Sequence, residues 1–359
     1  MTILLYAVAS NNLENNLHSD KSEILSAASS IDLNNNNILI YEVTNEHEPR
    51  LLKLAEKRNE GFIFETVREY DSEMSSLDPQ RIHEVISHVT DHYPSNEYGL
   101  ILWSHGTGWD PYFSSSWNSG SLGVNAYSFG YDRHENDNGH EELNIDVLAD
   151  AIPDGVFDFI WFDACYMSGI ELIYELRNKC NYFIGYPTEV FEWGMDYSLV
   201  LPYLAKKQPD YIGGARAFFN YYAGHPNSAA RVATVAVIDM SKLEQIADLC
   251  KIAYSQGGFV DRFDLVRYSR GSIGPFYDFG AYTLSMAASS GVDFNEKDWT
   301  TSMNEFVVYK NATPTDFKGK SIPADGYSGI SCHIYDDLDT SAKEQYYRSL
   351  DWYKRVYSE

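Results

Sequence analysis

A chain of 359 residues that is 44% hydrophobic and 15% aromatic has enough apolar side chains for a sizeable core, arranged as one large domain or two ordinary ones. Its 52 acidic against 27 basic residues give a net charge of −25 with no basic cluster, which argues against a nucleic-acid partner, whose phosphates need Lys and Arg. The four cysteines, Cys165, Cys180, Cys250 and Cys332, form no CxxC pair, so a zinc ribbon and a dense disulfide scaffold are excluded.

The chain opens on ILLYAVA, a near-continuous apolar run expected of a strand buried on both faces. The start lacks the basic segment of a signal peptide, and no apolar run approaches the roughly 18 residues of a membrane span. LENNLHSDKSEILSAASSI reads as a helix and NILIYEV as the next strand. PRLLKLAEK and GFIFETVREY flank an Asn-Glu-Gly turn and predict a hairpin that extends the sheet. Asp78 and Pro79 open a helix through RIHEVISHVTDHY, with Pro at its first position. YGLILWS is another buried strand, and it ends in HGTGW.

Residues 110 to 140 are polar, rich in Gly and Ser, and without periodicity, as functional or mobile loops are. After them LNIDVLADAI reads as a helix, FDFIWFDA as a strand, GIELIYELRN as a helix and NYFIGY as a strand. Strands alternating with helices predict an α/β fold with a largely parallel central sheet over residues 1–205. Residues 206–359 read as a helix-rich C-terminal region that returns strands to that sheet. Its helices are YIGGARAFFNYYAG, KLEQIADLCKIAYSQ, FYDFGAYTLSMAASS and EKDWTTSMNEFVVYK, interrupted by RVATVAVID and YSGISCHIY.

Sites in parallel sheets form at the carboxyl ends of strands. His105 ends YGLILWS and Cys165 ends FDFIWFDA. Two neighbouring strands would bring them together, and an imidazole beside a thiol can take its proton and later protonate a leaving amine. A helix starting near Met167 or Gly169 would favour the thiolate. Gly106 lets its backbone approach a substrate, and its N–H and that of Cys165 are natural oxyanion donors. By residue type alone Cys165 remains either a buried structural thiol or a candidate nucleophile.

LILWSHGTGW and FDACYMSGIELIYEL, with YAVASNNLENN, FYDFGAYTL and SGISCHIY, resemble the motifs of the clostripain family of cysteine peptidases, relatives of the caspases, legumains and gingipains. The resemblance spans nearly the whole chain and implies a caspase-like αβα sandwich with a Cys165–His105 dyad and cleavage after Arg or Lys. The family's acid at the cysteine motif matches Asp163, which at two residues before Cys165 shares its side of the strand and would pair with a basic P1 side chain. A second acid is expected from TEVFEWGMDY, with Asp196 chosen over Glu189 and Glu192. Phe191, Trp193 and Met195 depart there from the family's Gly- and Pro-rich stretch.

Many members cut themselves between the two motifs, where Arg133 is the one basic residue. His134, Glu135, Asp137 and His140 beside it make a poor metal set. The place of a calcium loop's closing Glu holds Ile145, so no metal or cofactor is expected, although some members respond to calcium. The implied partner is a peptide or protein with basic residues, met by a monomer. Export to the periplasm, surface or medium is implied by the family. The competing readings are a noncatalytic peptide-binding module and an amidase for nonprotein amides.

Overall fold

The apolar runs become the middle of one nine-stranded sheet. The computed structural model describes residues 1–110, 128–133, 140–268, 276–334 and 341–357. Its strands are β1 (Thr2–Ala9), β2 (Asn37–Thr44), β3 (Arg50–Lys57), β4 (Gly61–Glu69), β5 (Tyr98–Trp103), β6 (Phe129–Arg133), β7 (His140–Leu143), β8 (Phe157–Asp163), β9 (Cys180–Gly185), β10 (Thr234–Asp239), β11 (Tyr277–Asp278), β12 (Val307–Ala312) and β13 (Ser331–Cys332). The large sheet runs β12-β10-β9-β8-β5-β1-β2-β3-β4. The five central strands, β9 to β2, are parallel, and an antiparallel pair extends each side.

Side chains of β1 show why the run had to be apolar throughout. Leu4, Tyr6 and Val8 point into one core layer, and Ile3, Leu5, Ala7 and Ala9 into the other. Helices α1 (Glu14–Ala27), α5 (Tyr197–Leu204) and α6 (Tyr211–Ala223) cover the second layer. Helices α2 (Pro79–His92), α3 (Ile145–Ala151), α4 (Ile170–Glu175), α7 (Leu243–Tyr254), α8 (Phe279–Ser290), α9 (Glu296–Phe306) and α11 (Asp351–Tyr357) supply the first, and α10 (Ser341–Ser349) leads into α11. The α/β sandwich expected from the alternation is the fold.

Four local readings differ from the sequence expectation. EKDWTTSMNEFVVYK is not one helix: α9 stops at Phe306 and β12 begins at Val307. The β-branched pair Val307–Val308 suits a strand, and pairing of Tyr309 with Val237 and Lys310 with Ala236 outweighs the helical pattern upstream. Among the described residues of YSGISCHIY the one strand is Ser331–Cys332, which pairs with β11 and not with the large sheet. The polar stretch before residue 144 contains the β6–β7 hairpin, too short and polar to announce itself. Helix α5 was hidden by Pro202 in its interior.

Candidate active site

Strands β5 and β8 are parallel neighbours, with Trp103 paired to Asp163. His105 and Cys165, each two residues further on, therefore leave the sheet side by side. Direct contact between the two motifs is seen at Gly106: a Cβ built there would lie 2.6 Å from the Cys165 carbonyl oxygen and 2.9 Å from Met167 Sδ. Hydrogen bonds from Thr107 N–H to Ser128 O (2.9 Å) and from Gly130 N–H to His105 O (3.0 Å) bracket the pairing of Gly106 with Phe129. Gly106 thus occupies the position whose own N–H points away from β6. Substituting Gly106→Ala should cost about 1–3 kcal/mol of stability by forcing this approach apart, and should move the N–H with it. A chemical melt with parallel kinetics checks this; an unchanged melt would contradict the contact.

His105 is half-buried, and its Nε2 lies 2.9 Å from Asn12 Oδ1. Burial holds its pKa below the ordinary imidazole value. A neutral ring donating Nε2–H to Asn12 keeps the Nδ1 lone pair for a proton.

Cys165 is partly exposed, whereas Cys180, Cys250 and Cys332 are buried. Burial pushes the Cys250 thiol up to about 12 and those of Cys180 and Cys332 well above the ordinary range. The backbone of Val190 engages the Cys165 thiol: Val190 N–H donates to Sγ at 3.4 Å, and Sγ donates to Val190 O at 3.5 Å. An N–H directed at sulfur favours the thiolate. Helix α4 begins at Ile170 with Gly169 as its N-cap, close to the expected start, and runs six residues. Ser168 O, in the turn before it, accepts from Ser331 N–H of β13 (2.8 Å).

Directly after the thiol, Tyr166 has φ 62°, the sole positive φ at a non-glycine among the described residues. Tyr166 N–H bonds to Thr188 O at 2.9 Å and its ring stacks on Phe276 at 5.1 Å, which together maintain the costly conformation.

Asp163 points into the layer of α1 and α5 and is 4% exposed. Its Oδ2 accepts from Met195 N–H (3.1 Å) and from Tyr197 OH (3.2 Å), while Oδ1 is buried without a partner. Burial pushes its carboxyl up to about 6. Gly194, at φ +59°, closes over it: a Cβ there would sit 2.6 Å from Oδ2.

The other expected acids divide. Asp196 caps α5, its Oδ1 accepting from Ser198 N–H (2.9 Å) and Leu199 N–H (3.3 Å), so that oxygen is committed to the helix. Glu189 is buried and Glu192 exposed. Asp20 and Glu23 on α1 escaped sequence reasoning. Asp20 is 1% exposed with Oδ2 unpartnered, and burial followed by the charges of Asp163 and Glu23 raises its pKa. Glu23 accepts from Tyr197 N–H at 2.9 Å and is pushed up to about 7 by burial. The signal was present: α1 buries Leu17, Asp20, Ile24 and Ala27, so an acid occupies its apolar stripe.

Arg133 ends β6, its backbone paired with His140. The bond after it, and His134, Glu135 and Asp137, lie outside the described residues. Asp132 beside it is buried and accepts from Ser75 Oγ (3.1 Å), Ser76 N–H (2.8 Å) and Ser10 Oγ.

Residues 5–359 match the model of the clostripain family. The chain belongs to the clostripain family. It is a cysteine peptidase, which sets aside the binding-module reading. Among solved structures it is similar to a secreted C11 cysteine protease from Bacteroides thetaiotaomicron held with an irreversible peptide inhibitor, at 29% identity and TM-score 0.82, covering 99% of this chain and 98% of that one. It is also similar to an inactive zymogen C11 protease from Parabacteroides distasonis, at 27% identity and TM-score 0.80, covering 99% and 97%. Among curated proteins none matches. No helix among the described residues is long and apolar enough to cross a membrane.

Proposed function

We propose that this peptidase cleaves after Arg or Lys through a Cys165–His105 dyad. The observation that carries the specificity is the buried, unpartnered Asp163 Oδ1 two residues before the thiol, in a group of acids. A buried carboxylate lacking a counter-charge gains most from a substrate cation.

In the mechanism, His105 Nδ1 takes the Cys165 proton and sulfur attacks the scissile carbonyl carbon. The N–H groups of Gly106 and Cys165 receive the developing oxyanion. Collapse breaks the C–N bond as His105 passes its proton to the leaving amine. Water then gives a proton to His105, its oxygen attacks the thioester, and the acid product leaves with the thiol restored. Export fits the secreted relative, and self-processing after Arg133 is part of the proposal.

Peptides differing only at P1 (Arg, Lys, Asp, norleucine) test it, with mass spectrometry reporting any internal cut. Turnover of Arg and Lys above the others is expected; equal turnover of all four would refute the pocket. The Arg-to-norleucine ratio of kcat/KM should fall as pH drops through about 6, because Asp163 gains its proton there. Titration of the dyad is common to both substrates and cancels in the ratio. A ratio that stays flat across this range would contradict the role given to Asp163.

A further inference from the structure

Two consecutive asparagines follow the end of β1, and the structure gives them different tasks. Asn11 is 4% exposed and braces the backbone. Its Nδ2 donates to Val8 O (3.0 Å) and to Tyr131 O (2.7 Å), and its Oδ1 accepts from Leu13 N–H (2.9 Å). Its carbonyl also accepts from Asn45 Nδ2 (3.2 Å). Asn12 is exposed, and among the described residues its side chain makes one hydrogen bond, to His105 Nε2 at 2.9 Å. Its place is set by its buried neighbours, Asn11 and Leu13, and not by packing of its own side chain.

That single bond has a firm frame. Strands β1 and β5 are parallel neighbours with Ala7 opposite Trp103, so the chain leaving β1 passes beside the histidine that leaves β5. From β6, Gly130 N–H holds the His105 carbonyl (3.0 Å), and the Tyr131 and His105 rings meet at 84° with 6.1 Å between centroids. Tyr131 is the same residue whose carbonyl Asn11 grips. Asn11, Asn12 and Tyr131 therefore form one connected support around the imidazole, and Asn12 is the member that reaches a ring nitrogen.

An amide oxygen facing Nε2 does two things for a base. It holds the ring proton on Nε2, which leaves Nδ1 with its lone pair, and it fixes the plane of the ring. Its dipole also gains when the ring becomes imidazolium, because Nε2–H is then a stronger donor. Being uncharged, it does not lift the imidazole pKa as a carboxylate would. Burial is what lowers that pKa, and no charged group among the described residues acts on the ring. We propose that Asn12 is the positioning residue of this peptidase, the third member of a Cys165–His105–Asn12 chain, holding the base in its working tautomer and orientation through each proton transfer. The inference rests on the proposed role of His105 as that base.

The test is steady-state kinetics from about pH 5 to about pH 9 on whichever P1 peptide is turned over fastest, with the native enzyme, Asn12→Ala, Asn12→Asp and His105→Ala. Asn12→Ala should lower kcat about 10–100-fold with KM within about twofold. Its melting temperature should move by no more than about 2 °C, because the side chain is exposed. Asn12→Asp keeps an oxygen at Nε2 and adds a charge that favours imidazolium, so the base is lost to protonation at a higher pH. Its kcat at its own optimum should lie within about tenfold of native, and the acid limb of kcat/KM should move up by about one pH unit, which a merely structural role would not produce. A kcat for Asn12→Ala within about threefold of native, a loss that falls on KM instead, or an unshifted limb in Asn12→Asp overturns the inference. His105→Ala separates the two readings. If it keeps native activity, the dyad falls and this inference with it; if it is inactive beside a fully active Asn12→Ala, this inference alone falls.

Discussion

Replacing Cys165 by alanine is expected to lower kcat/KM by about 10⁴-fold or more while changing the melting behaviour little. The side chain is partly exposed at the edge of the core layer and its sulfur engages the backbone of Val190, so truncation removes one peripheral atom and opens at most a small void. His105→Ala should cost a comparable factor, because its ring both takes and returns the proton in each half of the reaction. The double variant should be hardly slower than either single one, since the two residues act as a unit. Alkylation gives an independent readout: in the folded protein iodoacetamide should modify Cys165 and spare Cys180, Cys250 and Cys332, which are buried with raised thiol pKa values. Activity of Cys165→Ala within about tenfold of the native enzyme, or alkylation of a buried cysteine first, would remove Cys165 from its role.

The second large effect is expected at Asp163, with opposite signs for activity and stability. Asp163→Asn removes the charge that meets a basic P1 side chain and should lower kcat/KM on such peptides by roughly 10²–10³-fold. Stability moves the other way. The carboxyl rises from its ordinary 3.8 to about 6 on folding, so the folded state holds the proton more tightly than the unfolded state. As pH climbs from about 4 to about 6, this group destabilises the fold by up to about 3 kcal/mol, and the full penalty remains at higher pH. Asparagine cannot ionise, although its amide N–H placed at the Oδ1 position would meet no partner. The variant should therefore be more stable than the native protein near pH 8, by about 1 kcal/mol or more, with the gain vanishing near pH 4. Urea melts at both pH values check this, and a variant less stable at both would contradict it.

What was legible in the sequence follows from how local its cause is. The parallel core was readable because β1, β5 and β8 are apolar on consecutive residues, which only a strand buried on both faces requires. His105 and Cys165 were readable because each ends such a strand. That β5 and β8 are neighbours was not in either segment, and it is this pairing that carries Gly106 to the Cys165 carbonyl. Asp196 attracted attention by lying in the right loop, but an Asp followed two residues later by Ser is also a helix cap, and the structure uses it so. Asp20 lies 143 positions before Asp163, counting 163 − 20, and no local pattern links them; only the packing of α1 against α5 brings that acid beside the pocket. The α9–β12 boundary was missed because strand pairing with β10, far upstream, decides where the helix stops.

The joint between β5 and β8 has a further consequence. Every strand of the large sheet before residue 104 lies on one side of that joint, and every strand after residue 156 lies on the other. A chain cut anywhere between them would become a two-chain heterodimer whose shared interface is a run of sheet hydrogen bonds, with the imidazole on one polypeptide and the thiol on the other. Its halves would stay together in the native state, held also by the pairing of β6 with β7 if the cut follows Arg133. Once unfolded, however, they would have to find each other by diffusion. Reassembly would become second order, and resistance to denaturation would depend on protein concentration in a way that the intact chain's does not.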